Sequence, residues 1–297
     1  MKIAVIGATG MLGHKVFQIL RSTFPATYAL TLEDTHLPPF DRVPLLQGDE
    51  VIRGVDVTDF DRLRGLLTEL RPDVIINCVG IIKQRNEAKM AIPSIIINAL
   101  LPHKLAEIAS AWQGRVIHPS TDCVFDGARG GYTEIDNSDA DDLYGKTKFL
   151  GELHIEHTLT LRTSIIGREL TSHRSLLDWF LSQRGKQIHG YQRVIYSGVT
   201  TNLFAAVVRM IITDHPDLHG LYQLVSTPIS KYDLLVLLKD AYQLDVDIQP
   251  EATEVSDRSM RGDKLFAAIG YTAPSWPTLV AELAEDPTPY DQWLYPW

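Results

Sequence analysis

A tyrosine and a lysine stand four residues apart, Tyr144 and Lys148, and a hydroxyl, Thr121, closes an apolar run upstream of them. Positions i and i+4 share one face of a helix, so the phenol and the ammonium project together. A free phenol has a pKa of about 10 and is a poor acid or base near neutrality. A neighbouring ammonium favours the phenolate and brings it toward the working range. A strand-end hydroxyl can hold a substrate oxygen. Together the three residue types make a proton-transfer device suited to redox chemistry at a carbonyl or an alcohol. The pattern YxxxK alone is frequent, and a chance Tyr and Lys at an exposed helix start is the plain alternative. The device becomes specific when a cofactor site accompanies it.

The segment Gly7-Ala8-Thr9-Gly10-Met11-Leu12-Gly13 follows a β-branched run and opens a helix. Gly7 permits a tight turn, Gly10 lets the backbone approach a pyrophosphate, and Gly13 allows helix and strand to pack closely. The helix N-terminus, with Met11 and Leu12 in its first turn, supplies N–H donors and a partial positive charge. Glu33 and Asp34 lie about 20 residues further on, where an acid would favour NAD over NADP, or they are solvated loop acids that leave Thr31 nearest the ribose. Asp56, followed by Val57, falls at a turn that would face an adenine. It can accept from the adenine amino group or simply cap the turn. Cys78, Val79 and Gly80 end the next apolar run, at the edge where open α/β sheets bind ligands. Asn98 is the polar exception on an apolar helix face, and a buried amide needs partners. It orders backbone near the site or satisfies a local carbonyl.

Elements that position these residues alternate through the first half of the chain. Strand-like runs are expected at 2–6, 26–32, 74–76, 116–117 and 159–163. Helical periodicity is expected at 11–21, 59–71, 94–112 and 141–157. Short, continuously apolar strands between helices imply a parallel sheet covered on both faces. The expected fold class is therefore α/β, a Rossmann-type doubly wound parallel sheet with a smaller α/β substrate-binding lobe. After residue 164 the pattern loosens, with helices near 175–184, 201–213 and 230–243 and a strand near 221–225. The expected division is 1–164 for the NAD(P)-binding domain and 165–297 for the smaller lobe, with segments interleaved.

The 297 residues carry a formal net charge of −9, which argues against non-specific nucleic-acid binding. Two cysteines, Cys78 and Cys123, read as buried thiols, and no Cys/His spacing resembles a metal site. No apolar run approaches the roughly 18 residues a membrane span needs. The chain reads as cytoplasmic, with no membrane partner; its assembly is open, a homodimer being one option.

These residues resemble the extended short-chain dehydrogenase/reductase superfamily, and within it the dTDP-4-dehydrorhamnose reductase (RmlD-like) family. The motifs are GATGMLG at 7–13, DVTD at 56–59, RPDVIINCVG at 71–80, STDCVFDG at 120–127, YGKTKFLGE at 144–152 and LRTSIIG at 161–167. The resemblance implies an oxidoreductase that uses NADPH or NADH, the residues not deciding between them. It would reduce a 4-keto-6-deoxy sugar on a nucleoside diphosphate, in surface polysaccharide precursor synthesis. By position, Thr121, Tyr144 and Lys148 would be the catalytic set. Tyr144 would protonate the C4 oxygen, Lys148 would tune Tyr144 and bind the nicotinamide ribose, and Thr121 would orient the carbonyl.

Cys123 departs from the family, which commonly has tyrosine there, and the segment at 80–90 differs from the usual loop. The chain is thus similar to a divergent branch, whose substrate could be another nucleotide-linked keto sugar, such as an N-acetylated one. Arg168, Arg174, Lys186, Arg193 and Arg258 are candidate diphosphate partners, and Trp179 and Tyr196 could stack on a base or sugar or pack in the core. Two other readings stand beside the reductase: an epimerase or dehydratase of the same fold, and a non-catalytic NADP-binding regulatory subunit like the methionine adenosyltransferase β subunit.

Overall fold

A computed structural model describes residues 1–82, 90–171 and 175–293. The chain begins with β1 (Ile3–Ile6), α1 (Met11–Thr23), β2 (Thr27–Leu30), β3 (Val51–Ile52), α2 (Phe60–Leu70) and β4 (Val74–Asn77). A helical run follows, from α3 (Ala91–Ser94) through a π turn, Ile95–Leu100, into α4 (Leu101–Ser110). Then come β5 (Arg115–Thr121), α5 (Leu143–Leu150) and β6 (Thr158–Thr163). After these the chain builds β7 (Ile165–Ile166), α6 (Leu176–Leu181), β8 (Gln187–Tyr191), β9 (Val194–Tyr196), β10 (Val199–Thr200) and α7 (Thr201–Asp214). The last third holds β11 (Gly220–Gln223), β12 (Ile229–Ser230), α8 (Lys231–Ala241), β13 (Asp247–Glu251), β14 (Ser256–Asp257), α9 (Asp263–Ile269), α10 (Trp276–Ala284) and α11 (Tyr290–Trp293).

Among the described residues, seven strands form one parallel sheet in the order β11-β6-β5-β4-β1-β2-β3. Its central strands are buried along their whole length, which is why they read as unbroken apolar runs. Side chains alternate across the sheet. Ile3 and Val5 join the core with Val16, Phe17 and Leu20 of α1 and Phe204 and Val208 of α7. Ala4 and Ile6 join the other with Leu63 and Leu67 of α2 and Leu101 and Leu105 of α4. The sheet is thus doubly wound, as expected.

The chain leaves β1 toward β2 and β3, then crosses back to β4 on the other side of β1. That reversal opens a crevice at the carboxyl ends of β1 and β4, the usual ligand position in open α/β sheets. Glycine turns after β1 and the Cys78–Gly80 segment after β4 border it.

Several elements differ from the expected spans. The helix expected at 141–157 stops at Leu150, capped by Gly151. A Cβ at position 151 would stand 2.0 Å from the Asn98 carbonyl oxygen, so only glycine fits where the end of α5 packs on the π turn. The strand expected at 116–117 extends over all of β5. β3 is a two-residue edge strand that the sequence pattern does not show. β11 and α7, both beyond residue 164, belong to the large sheet and its cover. The remaining strands build small sheets, β12-β9-β14, β13-β8 and β10-β7. The C-terminal segment returns to α1, where Lys15 pairs with Asp286 at 2.7 Å and His14 Nε2 meets the Tyr290 hydroxyl at 2.8 Å.

Candidate active site

The glycine loop has the shape a dinucleotide needs. Gly7 adopts φ +81°, and a Cβ there would lie 2.8 Å from Val79 Cγ2. A Cβ on Gly13 would lie 2.0 Å from the Gly7 carbonyl oxygen, so only glycine lets α1 sit so close to the β1 turn. Gly10 occupies the N-cap with no side-chain cap, which leaves the first-turn N–H groups, Met11 and Leu12 among them, for an outside acceptor. Thr9 Oγ1 donates to Glu33 Oε2 at 2.9 Å, which holds the acid against the loop. Thr31 Oγ1 donates to the Glu33 carbonyl at 2.9 Å. Arg53 spends its guanidinium on Thr35 and on the carbonyls of Val51 and Leu46.

Asp56 accepts from Thr58 N–H (2.9 Å) and Thr58 Oγ1 (2.7 Å) through the same oxygen, Oδ1. These bonds hold its carboxyl below the usual range. It is thus a turn aspartate, and it also lines a cavity of about 80 Å³ with Ile52, Arg53, Val55 and Arg62. Val57 packs in the core beside α2. Asp59 caps α2, its carboxylate accepting from Arg62 N–H.

At the end of β4, Asn77 Oδ1 accepts from Val79 N–H at 3.2 Å. Cys78 is a free thiol that burial pushes up to about 12. Gly80 lies under Asn98, whose Oδ1 would be 3.6 Å from a Cβ there. Asn98, in the π turn, accepts from Ile81 N–H (2.9 Å) and donates to the Ile81 carbonyl (3.0 Å). It therefore orders the backbone that follows Gly80. Residues 83–89 of the departing loop lie outside the described residues.

The catalytic candidates meet at the carboxyl end of β5. Thr121 is its last residue, and its Oγ1 donates to Asp122 Oδ1 (3.1 Å) and accepts from Cys123 N–H (3.2 Å). Tyr144, in the first turn of α5, brings its phenol beside the Thr121 hydroxyl. Lys148, one turn on and 6% exposed, donates to the Pro119 carbonyl at 2.8 Å and lies 3.3 Å from His118 Nε2. Asp142 caps the helix, its side chain accepting from Gly145 N–H at 2.7 Å. Gly145 itself allows α5 to press on the Cys123 carbonyl, 2.1 Å from where a Cβ would be.

Electrostatics at the cluster differ from the simple expectation. Burial pushes the Tyr144 phenol above its usual value, with Cys123 and Asp122 adding to the rise and the Thr121 hydrogen bond opposing it. The phenol is thereby kept protonated in the ligand-free chain. Burial brings Lys148 down to about 8, against Glu152 and Cys78, which favour its charge. Burial also raises Asp122, against the hydrogen bond from Thr121 and the charges of Arg258 and Lys231.

Four of the five basic candidates beyond residue 164 are described. Arg258 reaches the rim of the cluster, donating to the carbonyls of Phe125 (2.8 Å) and Asp126 (3.1 Å). Arg168 is committed to Asp178 at 2.8 Å and to Asp291 at 3.2 Å. It lines a separate cavity of about 580 Å³ that contains none of Thr121, Tyr144 and Lys148. Lys186 and Arg193 are exposed, and Arg174 lies outside the described residues. Trp179 is 37% exposed, whereas Tyr196 is buried and packs on Trp276 with ring centroids 5.3 Å apart.

Residues that sequence reasoning did not single out complete the site. His118 and Ser120 lie on the face of β5 opposite Thr121, and strand alternation counted back from Thr121 would have paired them. Ser120 donates to Glu152 (2.8 Å), which forms a buried two-pronged pair with Arg162, both bonds 2.7 Å. Lys231, at the start of α8, bears on Asp122.

Fold and site together define a Rossmann-type α/β protein with a hydroxyl–tyrosine–lysine cluster beside a glycine-rich helix N-terminus. The chain belongs to the RmlD substrate binding domain family, whose model matches residues 1–170. It is similar to the probable low-salt glycan biosynthesis reductase Agl14 of Haloferax volcanii, 34% identical over 149 residues, 50% of this chain and 46% of that protein. It is also similar to methionine adenosyltransferase 2 subunit beta of Mus musculus, 29% identical over 153 residues, 51% of this chain and 41% of that protein. The chain thus spans about half the length of these curated relatives. Its fold matches that of dTDP-4-dehydrorhamnose reductase from Bacillus anthracis, solved in complex with NADP, at TM-score 0.78 and 21% identity, covering 95% of this chain and 98% of that one. Among the described residues no helix is long and apolar enough to cross a membrane.

Proposed function

We propose that this chain is a nicotinamide-dependent reductase of a nucleotide-linked 4-keto sugar. The observation that carries the reading is the meeting of Thr121, Tyr144 and Lys148 at the carboxyl end of β5, next to the crevice bordered by Gly7 and Cys78–Gly80. NADH or NADPH, when bound, supplies the hydride. The residues that would hold the dinucleotide are the loop Gly7–Gly13, with Met11 and Leu12 offering N–H groups, Glu33 at the ribose, Asp56 at the cavity beneath α2, and Cys78–Gly80 across the crevice. Thr121 turns its hydroxyl from Asp122 to the substrate carbonyl and fixes its position. Tyr144 gives its phenolic proton to the carbonyl oxygen, and its burial keeps that proton in place until then. Lys148 sits close enough to neutrality to resupply a proton. Residues 1–164 provide most of the cofactor half and the smaller lobe the sugar-nucleotide half, with Lys231 and Arg258 as the basic groups nearest Asp122.

Incubation with NADH or NADPH and a panel of nucleotide-linked 4-keto sugars tests this, with nicotinamide absorbance as the readout. Consumption of one keto sugar is expected. If none is consumed while a partner enzyme's activity changes, the regulatory-subunit reading replaces the reductase.

A further inference from the structure

The backbone fixes the direction of a chain of hydrogen bonds that ends at Lys148. Val79 N–H can only donate, so the Asn77 atom it meets at 3.2 Å is the oxygen Oδ1. The other Asn77 terminus, Nδ2, therefore faces His118 Nδ1, also at 3.2 Å. An amide nitrogen donates, so Nδ1 accepts and carries no proton. His118 is 1% exposed, and burial, Lys148 and His103 all disfavour its charged form. Its single ring proton then sits on Nε2, 3.3 Å from Lys148 Nζ. Lys148 also donates to the Pro119 carbonyl at 2.8 Å. An ammonium has no lone pair and would set N–H against N–H at His118. A neutral amine accepts from Nε2–H while still donating to Pro119.

We propose that His118 is a positioning residue that sets the protonation balance of Lys148, with Asn77 as the lock on its tautomer. The groups facing Lys148 are His118 from β5, Cys78 from the end of β4 and Glu152 beyond the end of its own helix; His103 of α4 faces His118. Glu152 already pairs with Arg162, which blunts its pull on the lysine. His118 thus tips Lys148 toward releasing its proton. On the reductase reading, that proton passes to the phenolate left on Tyr144, and solvent replaces it on Lys148. The lock begins at Val79, which packs against Gly7, so the glycine loop touches the residue that starts this chain of hydrogen bonds.

The test is an NMR titration of 13C-labelled lysine in the ligand-free protein, the Lys148 resonance being identified by its loss in Lys148→Arg. Two variants are compared with the parent. In His118→Gln the amide oxygen can turn to the ammonium. In Asn77→Asp a carboxylate accepts from Val79 N–H and from Nδ1–H, which reverses the ring's polarity. The parent should titrate at about 8, and both variants about one pH unit higher, the equivalent of one hydrogen bond. A rise in His118→Gln alone also supports the role. No rise in His118→Gln overturns it, even if Asn77→Asp moves, because charge alone then accounts for the change. If His118→Gln does not fold, Asn77→Asp decides: a rise accompanied by a move of the His118 ring proton to Nδ1, read from its 15N shifts, supports the lock, and no rise, or a rise without that move, overturns it. The titration uses neither cofactor nor substrate, so its failure is separate from failure of the reductase reading.

Discussion

Asn98 holds Ile81 by both of its backbone groups, accepting from the N–H at 2.9 Å and donating to the carbonyl at 3.0 Å. The amide mimics a strand neighbour for this one residue. It projects from a π turn, where an extra residue in the helical turn re-aims a side chain. The same turn places the Asn98 carbonyl against Gly151, so one irregularity both holds Ile81 and packs on the end of α5.

Asn98→Leu removes both bonds and leaves two backbone groups unsatisfied, at about 1–3 kcal/mol each. The loop borders the cofactor crevice, so the expected result is a lower Tm with dinucleotide Kd raised about tenfold or more. Thermal unfolding and fluorescence titration with NADH check both. An unchanged Kd would detach Asn98 from the site.

Glu33 stands beside Thr9, and Arg53, the nearby guanidinium, is occupied by Thr35 and two carbonyls. A carboxylate near the ribose accepts from a 2′-hydroxyl and repels a 2′-phosphate. NADH should therefore bind more tightly than NADPH. Glu33→Ala should weaken NADH about tenfold, the value of one charge-assisted bond, and leave NADPH unchanged or tighter. Equal affinities in the parent chain would remove Glu33 from the ribose.

Lys15 and Asp286 tie the C-terminal segment to α1, with side chains 3% and 6% exposed. Burial lowers Lys15, whereas hydrogen bonds from Lys15 and Thr288 outweigh burial at Asp286 and hold it at about 2. The carboxylate is the group that titrates in the acid range, so it governs the pH response there. Its folded value is depressed, so its stabilisation is present above the unfolded value of 3.8 and is lost as pH falls toward about 2. Asp286→Asn strands a buried ammonium, at about 3–5 kcal/mol. Urea unfolding at pH 7 should show that loss, and it should shrink at pH 3.

Much of this architecture is legible in the sequence because it is local. The runs Ile3–Ile6 and Val74–Asn77 are short, apolar and bounded by turn residues, and the glycines at 7, 10 and 13 mark where backbone meets backbone. What was not legible depends on contacts distant in sequence. The packing of Gly151 on Asn98 and the pairing of β11 with β6 both join segments far apart in the chain. Tyr144 and Lys148 were visible by spacing, but His118 and Asn77 become partners only when β4 and β5 lie side by side. The direction of the Tyr144 shift follows from burial, which no spacing reveals.

Tyr144 carries the proposed chemistry most directly. Turnover of an accepted keto sugar by Tyr144→Phe, followed by nicotinamide absorbance, should fall about 10²–10⁴-fold, the range for loss of a positioned acid. NADH affinity measured on the same protein should be unchanged. Turnover equal to that of the parent chain would contradict the account.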